Sequence, residues 1–322
     1  MIIRFVFIVL FIPLTTVVLT QTGKVPVSVA FNVEEKDLIP EGITYDPGTH
    51  QFFLSSFNKD KVVAISEKGI ATDFLKPGQD GILQTLGMKV DMQRRRLWVV
   101  SNKAENNSHT SAVHIFDIES RTMIKKFILA NNTAHLFNDL ALTSTGDAFI
   151  TDSYSDVIYT VPAALTGLKP FVESDSLLIG SNGLTVSPDN KLLYVATGGG
   201  IIVINLKTLD IKPLGKPGKI NTSGIDGLVF YKGSLIGVVN SMDEESEMYI
   251  ARYNLSPDLH EILGMSIIDK GNPLFNLPTT CVIADEYLYC LANTSLRIFL
   301  QKKMNYEDKL HNPVILKYKI AE

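Results

Sequence analysis

The chain is built from short runs rich in Phe, Leu, Val and Tyr, separated by turn sequences such as Asp46-Pro47-Gly48, Ser144-Thr145-Gly146-Asp147 and Ser187-Pro188-Asp189-Asn190. Short apolar runs bounded by Gly, Pro, Asn and Asp predict β-hairpins rather than helices. The most apolar runs are Gln51–Phe57, Arg96–Asn102, Asp147–Ser153, Lys191–Thr197, Ser234–Asn240 and Tyr287–Asn293. Each is followed by a third predicted strand, and all but the last by a fourth, so the final unit lacks one. Val25–Phe31 alternates in the manner of a strand with no partner of its own, and it is predicted to supply the missing one. Closing the ring in this way removes two exposed edges that would otherwise invite aggregation.

A phrase precedes each hairpin. Glu41-Gly42-Ile43, Leu86-Gly87-Met88, Asn138-Asp139-Leu140, Asn182-Gly183-Leu184, Asp226-Gly227-Leu228 and Thr280-Cys281-Val282 open at intervals of 45, 52, 44, 44 and 54 residues. That is the period of a propeller blade. The expected fold is therefore all-β, a single six-bladed β-propeller over residues 25–320, closed by the N-terminal strand on the last blade. Equivalent positions of the blades share a ring about the axis, so Glu41, Asn138, Asn182 and Asp226 should converge. Two carboxylates and two carboxamides carry a formal charge of −2, and the remaining two positions, Leu86 and Thr280, offer no cation. Such a ring is costly without one. The glycines of the phrase are expected to permit close backbone approach at the crowded axis. By strand alternation Asp139 should face away from Asn138 and act as a structural hydrogen-bonding residue.

Bulk composition narrows the class without redirecting it. With 45% hydrophobic residues, 20% charged residues and a net charge of −4, the chain can bury a full core and shows no basic stripe for nucleic acid. Residues 1–20 carry one charge, Arg4, ahead of an apolar stretch, which reads as a secretory signal peptide with an uncleaved anchor as the alternative. The expected location is secreted or periplasmic, as a monomer free of the membrane unless that segment is retained. The two cysteines rule out a disulfide scaffold. A two-residue turn at Asp285-Glu286 places Cys281 opposite Cys290, leaving both a cross-strand disulfide and a pair of small buried thiols open. Asn102–Thr110 and Ser295–Asn312 read as irregular insertions, and Asp243–Glu247 as a solvated acidic loop.

Oxygen donors suit hard cations, calcium first, with Mg²⁺, Mn²⁺ and Zn²⁺ as other candidates. An ion with open positions can polarise an ester or lactone carbonyl, and Asp226 or Glu41 could then accept a proton from water. The alternative is an ion that only ties blades together in a binding propeller. No G-x-S-x-G elbow, Walker loop or H-E-x-x-H occurs. His135, three residues before Asn138, is a candidate proton acceptor at the channel mouth, or else an exposed loop histidine.

Pro40-Glu41-Gly42, Phe137-Asn138-Asp139, Ser181-Asn182-Gly183-Leu184 followed by Ser187-Pro188-Asp189, and Ile225-Asp226-Gly227-Leu228 resemble successive motifs of the senescence marker protein/gluconolactonase/luciferin-regenerating-enzyme family. The resemblance runs from about Val25 to Ile320. It implies a six-bladed fold and metal-dependent lactone hydrolysis. Glu41, Asn138, Asn182 and Asp226 would hold the metal, with Asn138 and Asp226 as the catalytic pair and Asp226 as the base. Leu136 and Thr197 stand where sugar-lactone members commonly carry arginine and aspartate, which points to a more apolar lactone or ester substrate.

Overall fold

The computed structural model describes residues 25–105, 108–131, 133–242 and 247–320. After β1 (Val27–Asn32), blade 1 is formed by β2 (Ile43–Asp46), β3 (Gln51–Ser55), β4 (Val62–Ile65) and β5 (Ala71–Leu75). Blade 2 is β6 (Gln84–Asp91), β7 (Arg96–Glu105), β8 (Ser108–Asp117) and β9 (Met123–Asn131); blade 3 is β10 (Phe137–Leu142), β11 (Ala148–Asp152), β12 (Val157–Val161) and β13 (Lys169–Glu173). Blade 4 is β14 (Leu184–Val186), β15 (Leu192–Thr197), β16 (Gly200–Asn205) and β17 (Ile211–Pro213), and blade 5 is β18 (Ile225–Tyr231), β19 (Ser234–Val239), β20 (Tyr249–Leu255) and β21 (Ile262–Lys270). Blade 6 takes β22 (Cys281–Ala284), β23 (Tyr287–Asn293) and β24 (Val314–Lys319) from the end of the chain, and β1 as its outer strand. The six-bladed propeller and its closure are therefore as the sequence predicts.

The inner strands close a ring of their own. Each of β2, β6, β10, β14, β18 and β22 packs against the inner strands of both neighbouring blades. Between blades lie apolar clusters, one at each seam; Trp98, fully buried, anchors the seam of blades 2 and 3. At the closing seam Phe31 of β1 meets Phe52 of blade 1 with ring centroids 5.2 Å apart. Polar side chains also staple blade to blade. Asn102 does so most fully: its Nδ2 donates to Phe137 O at 2.8 Å and its Oδ1 accepts from Phe137 N at 2.8 Å, so one side chain copies a strand pair between blades 2 and 3.

The described residues of both predicted insertions carry regular structure. Asn102–Glu105 and Ser108–Thr110 extend the blade 2 hairpin, with Lys103 paired to Thr110 beyond the other blades' length. Ser295–Asn312 contains a short helix, α1 (Leu296–Gln301), and a 3-10 turn at Tyr306–Lys309. Phe299 of α1 is buried edge-on against Phe57 at 6.0 Å, so this segment packs onto the propeller as structure of its own. Cys281 and Cys290 are directly opposite, as the turn predicts, and both are buried free thiols. The proposed signal at residues 1–20 and most of the acidic loop Asp243–Glu247 lie outside the described residues.

One irregularity recurs where the inner strands enter the sheets. The pairing of β6 with β7 shifts between Thr85 and Met88, that of β10 with β11 between Phe137 and Leu140, and that of β18 with β19 between Ile225 and Leu228. In blade 4 Asn182 N donates to Ala196 O while Ala196 N donates to Gly183 O, again two residues against one. These are β-bulges, which interrupt alternation and re-aim the side chains around them.

Candidate metal centre in the channel

Glu41, Asn138, Asn182 and Asp226 line one cavity at the centre of the ring, together with Thr280 and, unforeseen, Asp139 and Lys89. The bulges account for both additions. With two residues of β10 opposing one of β11 at Asn138-Asp139, both side chains reach the cavity, so the expectation that Asp139 faces away is corrected. The bulge at Leu86-Gly87 likewise shifts the phase of β6, and Lys89 supplies the cation that the repeat positions Leu86 and Thr280 do not. Lys89 Nζ lies 3.4 Å from Asp139 Oδ1.

Three of the four ring residues, Glu41, Asn138 and Asp226, are positioned by a polar group at the end of their blade's second strand. Glu41 N and Gly42 N donate to Ser55 Oγ at 3.2 and 2.6 Å. Asn138 Nδ2 donates to Ser153 Oγ at 2.9 Å, and Ser153 in turn donates to Ser181 O of blade 4 at 2.7 Å. Asn240 Nδ2 donates to both Asp226 Oδ2 and Pro278 O of blade 6. The ring closes where Thr279 Oγ1 of blade 6 donates to Glu41 O at 2.8 Å. Ser55, Ser153 and Asn240 follow their ring residues by 14, 15 and 14 positions, a secondary repeat that the sequence carries beside the opening phrase. Gly183 shows how close the blades come: a Cβ there would lie 2.3 Å from Asp226 O, so only glycine fits.

The electrostatics of the cavity are unbalanced. Burial raises the Glu41 carboxyl well above the usual range, and the negative charges of Asp226 and Asp139 add to this against a smaller opposing effect of Lys89. Asp226 keeps some solvent exposure along the narrow channel but is enclosed by protein on its other sides, and that burial pushes it up to about 7; hydrogen bonds from Asn240 and Asn182 oppose the shift and Asp139 reinforces it. Asn138 is 8% exposed, and its Oδ1 is buried with no hydrogen-bond partner. A buried carbonyl oxygen without a donor costs about 1–3 kcal/mol. Among the described residues no three His, Cys, Asp or Glu side chains converge by themselves as a metal cluster, so an ion here would depend on the amide oxygens of the ring. The donor chemistry fits a hard cation: carboxylates and an unused carbonyl oxygen face a cavity of about 10 Å³, room for one water or one ion.

The remaining sequence candidates lie elsewhere. His135 is buried, with Nδ1 2.6 Å from Asp152 Oδ2 and its ring edge-on to Tyr159, and it is not among the cavity's lining residues. The exposed-loop reading is therefore corrected, and the residue serves blade 3. Leu136 packs against the apolar cluster of blades 2 and 3, and Thr197 Oγ1 donates to Gly200 O within its own hairpin. Burial pushes the Cys281 thiol up to about 12.

No protein-family model matches the sequence, and no curated protein matches it either. Solved structures do match. A gluconolactonase from Xanthomonas campestris superposes with a TM-score of 0.60 at 14% identity, over 91% of this chain and 89% of that one. The chain has a gluconolactonase-like propeller fold. The same fold is shared with other proteins: a PQQ-bound aldose sugar dehydrogenase from Streptomyces coelicolor (TM-score 0.62, 13% identity, 92% of this chain and 98% of that one) and a streptogramin B lyase (0.59, 15%, 92% and 88%). At such identities the likeness is one of fold, and function has to be argued from the cavity.

Proposed function

We propose that this chain is a divalent-metal-dependent hydrolase of a lactone or related ester, with Glu41, Asn138, Asn182 and Asp226 holding the ion. The observation that carries the reading is the partnerless Asn138 Oδ1, buried in a cavity whose carboxylates outnumber its cations by three to one. Calcium is the preferred ion because every ring donor is oxygen. When bound, it supplies Lewis acidity toward a carbonyl oxygen.

The chain's own residues do the rest. Asp226, whose carboxylate lines the cavity, can accept a proton from water and return it to the leaving alkoxide. Asn240 and Asn182 hold that carboxylate in place through hydrogen bonds. Ser153 anchors the amide nitrogen of Asn138 and so presents its oxygen to the cavity. Leu136 and Thr197 put no charged group into the cavity, which favours an apolar acyl or lactone substrate over a polyhydroxylated one. Export, suggested by residues 1–20, would expose the site to abundant calcium.

A second reading, a binding propeller with the ion as a plug, is favoured by the size of the cavity: about 10 Å³ admits no substrate, which must then be bound at the channel mouth. A panel of lactones and aryl esters separates the two. Hydrolysis that disappears with chelator, returns with calcium and is lost in a folded Asp226→Asn variant is the expected result. A chain that binds calcium tightly yet turns over no member of the panel is the plug.

A further inference from the structure

The seam that closes the propeller, between blades 6 and 1, opens into a second cavity of about 260 Å³. It lies at the far end of the inner strands from the metal ring: Tyr45 sits late in β2, which the chain enters after Glu41, and Asp285 belongs to the turn that follows β22. The apolar packing of the seam stops here in a wall of aromatic rings. The buried Phe52 has the ring centroids of Tyr45 at 4.7 Å and of Tyr289 at 4.5 Å, and Phe31 closes the wall behind them. The rim, by contrast, is charged. Glu67 and Asp285 are exposed, and His50 Nδ1 lies 3.5 Å from Glu67 Oε1 and 3.2 Å from Tyr45 Oη, so one imidazole holds Tyr45 and Glu67 at the same edge. Burial raises the Tyr45 phenol above its usual range, and the negative charges of Asp285 and Glu67 add to this, so the field of both carboxylates reaches that ring.

A cation already rests on part of this wall. Lys317 of β24 sets its ammonium 3.8 Å from the ring centroid of Tyr287 and 5.4 Å from that of Tyr289, and it makes no ion pair among the described residues although two carboxylates share the cavity. Ring faces draw in positive charge through their quadrupole. Lys317 serves the blade 6 rings, whereas the blade 1 side, with Tyr45 and Glu67, is lined by no lysine or arginine. One ammonium against two carboxylates leaves a formal charge of −1. We propose that this cavity binds a small organic cation, a methylated ammonium compound, with its charge over Tyr45 between Glu67 and Asp285 and its apolar body against Phe52. Methyl groups on the nitrogen bury against rings at little hydration cost while the charge stays beside the carboxylates. The cavity falls just below the ~300–1,000 Å³ of drug-sized sites, so the ligand is about the size of choline.

The test is isothermal titration of the whole chain with choline, beside its uncharged isostere in which a tert-butyl group replaces the trimethylammonium. Choline should bind saturably, and the isostere at least about fivefold more weakly. Tyr45→Leu keeps apolar bulk but removes the ring face and should weaken choline about fivefold. Glu67→Gln combined with Asp285→Asn should weaken it by a similar factor and flatten its salt dependence. Both substitutions fall on exposed turn residues, and asparagine accepts the positive φ of 54° at position 285, so this pair carries the test if Tyr45→Leu does not fold. Lys317→Met should tighten binding by removing a like charge. Calcium and chelator should leave choline affinity unchanged, which keeps this cavity separate from the channel. No saturable binding of choline, equal binding of the isostere, or the parent's affinity in the carboxylate pair overturns the proposal.

Discussion

Asp46 and Asp226 are carboxylates of the same propeller, and the protein shifts them in opposite directions. Asp46 is wholly buried at the seam of blades 1 and 2, where burial alone would raise its pKa; hydrogen bonds from Arg95, from Thr49 and from the backbone of Gly48 outweigh that and hold it below the usual range. Arg95 grips both of its oxygens, Thr49 Oγ1 donates at 2.7 Å, and Gly48 N and Thr49 N each donate at 3.1 Å. Asp226 receives amide donors from Asn240 and Asn182 but faces Asp139 across the cavity, and it sits at about 7. Burial is common to both, and the supply of donors separates them. A carboxylate with every lone pair occupied by the protein is a structural tie, whereas one short of positive charge is ready to take up a proton or a cation.

The contrast is broken most severely by exchanging the roles. Asp226→Asn should reduce hydrolysis at least ~100-fold, the lower end of what a positioned proton acceptor contributes, while the calcium-free variant melts no lower than the parent because a buried charge has been removed. Asp46→Ala should do the reverse, lowering stability by about 3 kcal/mol in denaturant titrations by stranding Arg95, with calcium uptake intact.

A smaller effect separates the two by pH. The folded pKa of Asp226, about 7, lies above its unfolded value of 3.8, so between these values the native state binds more protons than the unfolded state. Stability of the calcium-free chain should therefore fall as pH rises from about 4 to about 7 and level off above, with Glu41 contributing in the same direction. Asp46 runs oppositely: its stabilisation is present above its unfolded pKa and is lost as pH falls through its lowered folded value. Thermal melts in chelator across this range should show a shallower decline toward neutral pH in Asp226→Asn than in the parent. The smallest effect is expected at Lys191, whose pair with Asp189 is largely exposed: Lys191→Ala should leave both the melting temperature and calcium binding unchanged.

Much of this could be read from the sequence because a propeller repeats itself. Turn sequences such as Ser187-Pro188-Asp189-Asn190 set the strand ends, the opening residues of the phrase marked the ring, and the unpaired run at Val25–Phe31 had one place to go. Asp139 and Lys89 were not legible because the alternation rule assumes an unbroken strand, and the bulges that break it are settled by contact between blades rather than by any local preference of Leu86-Gly87 or Asn138-Asp139. The helix at Leu296–Gln301 was hidden for a different reason: Leu296 and Phe299, three residues apart, bury one face within a segment that is otherwise polar.

The central claim is that the ring is short of positive charge and holds a divalent ion. Metal content of the purified chain after calcium loading and desalting, measured by mass spectrometry on parent, Asp46→Ala and Asp226→Asn together, tests it most directly. Near-stoichiometric calcium in the first two and none in the third is the predicted result. A calcium-free parent, or equal loss in both variants, would contradict the account.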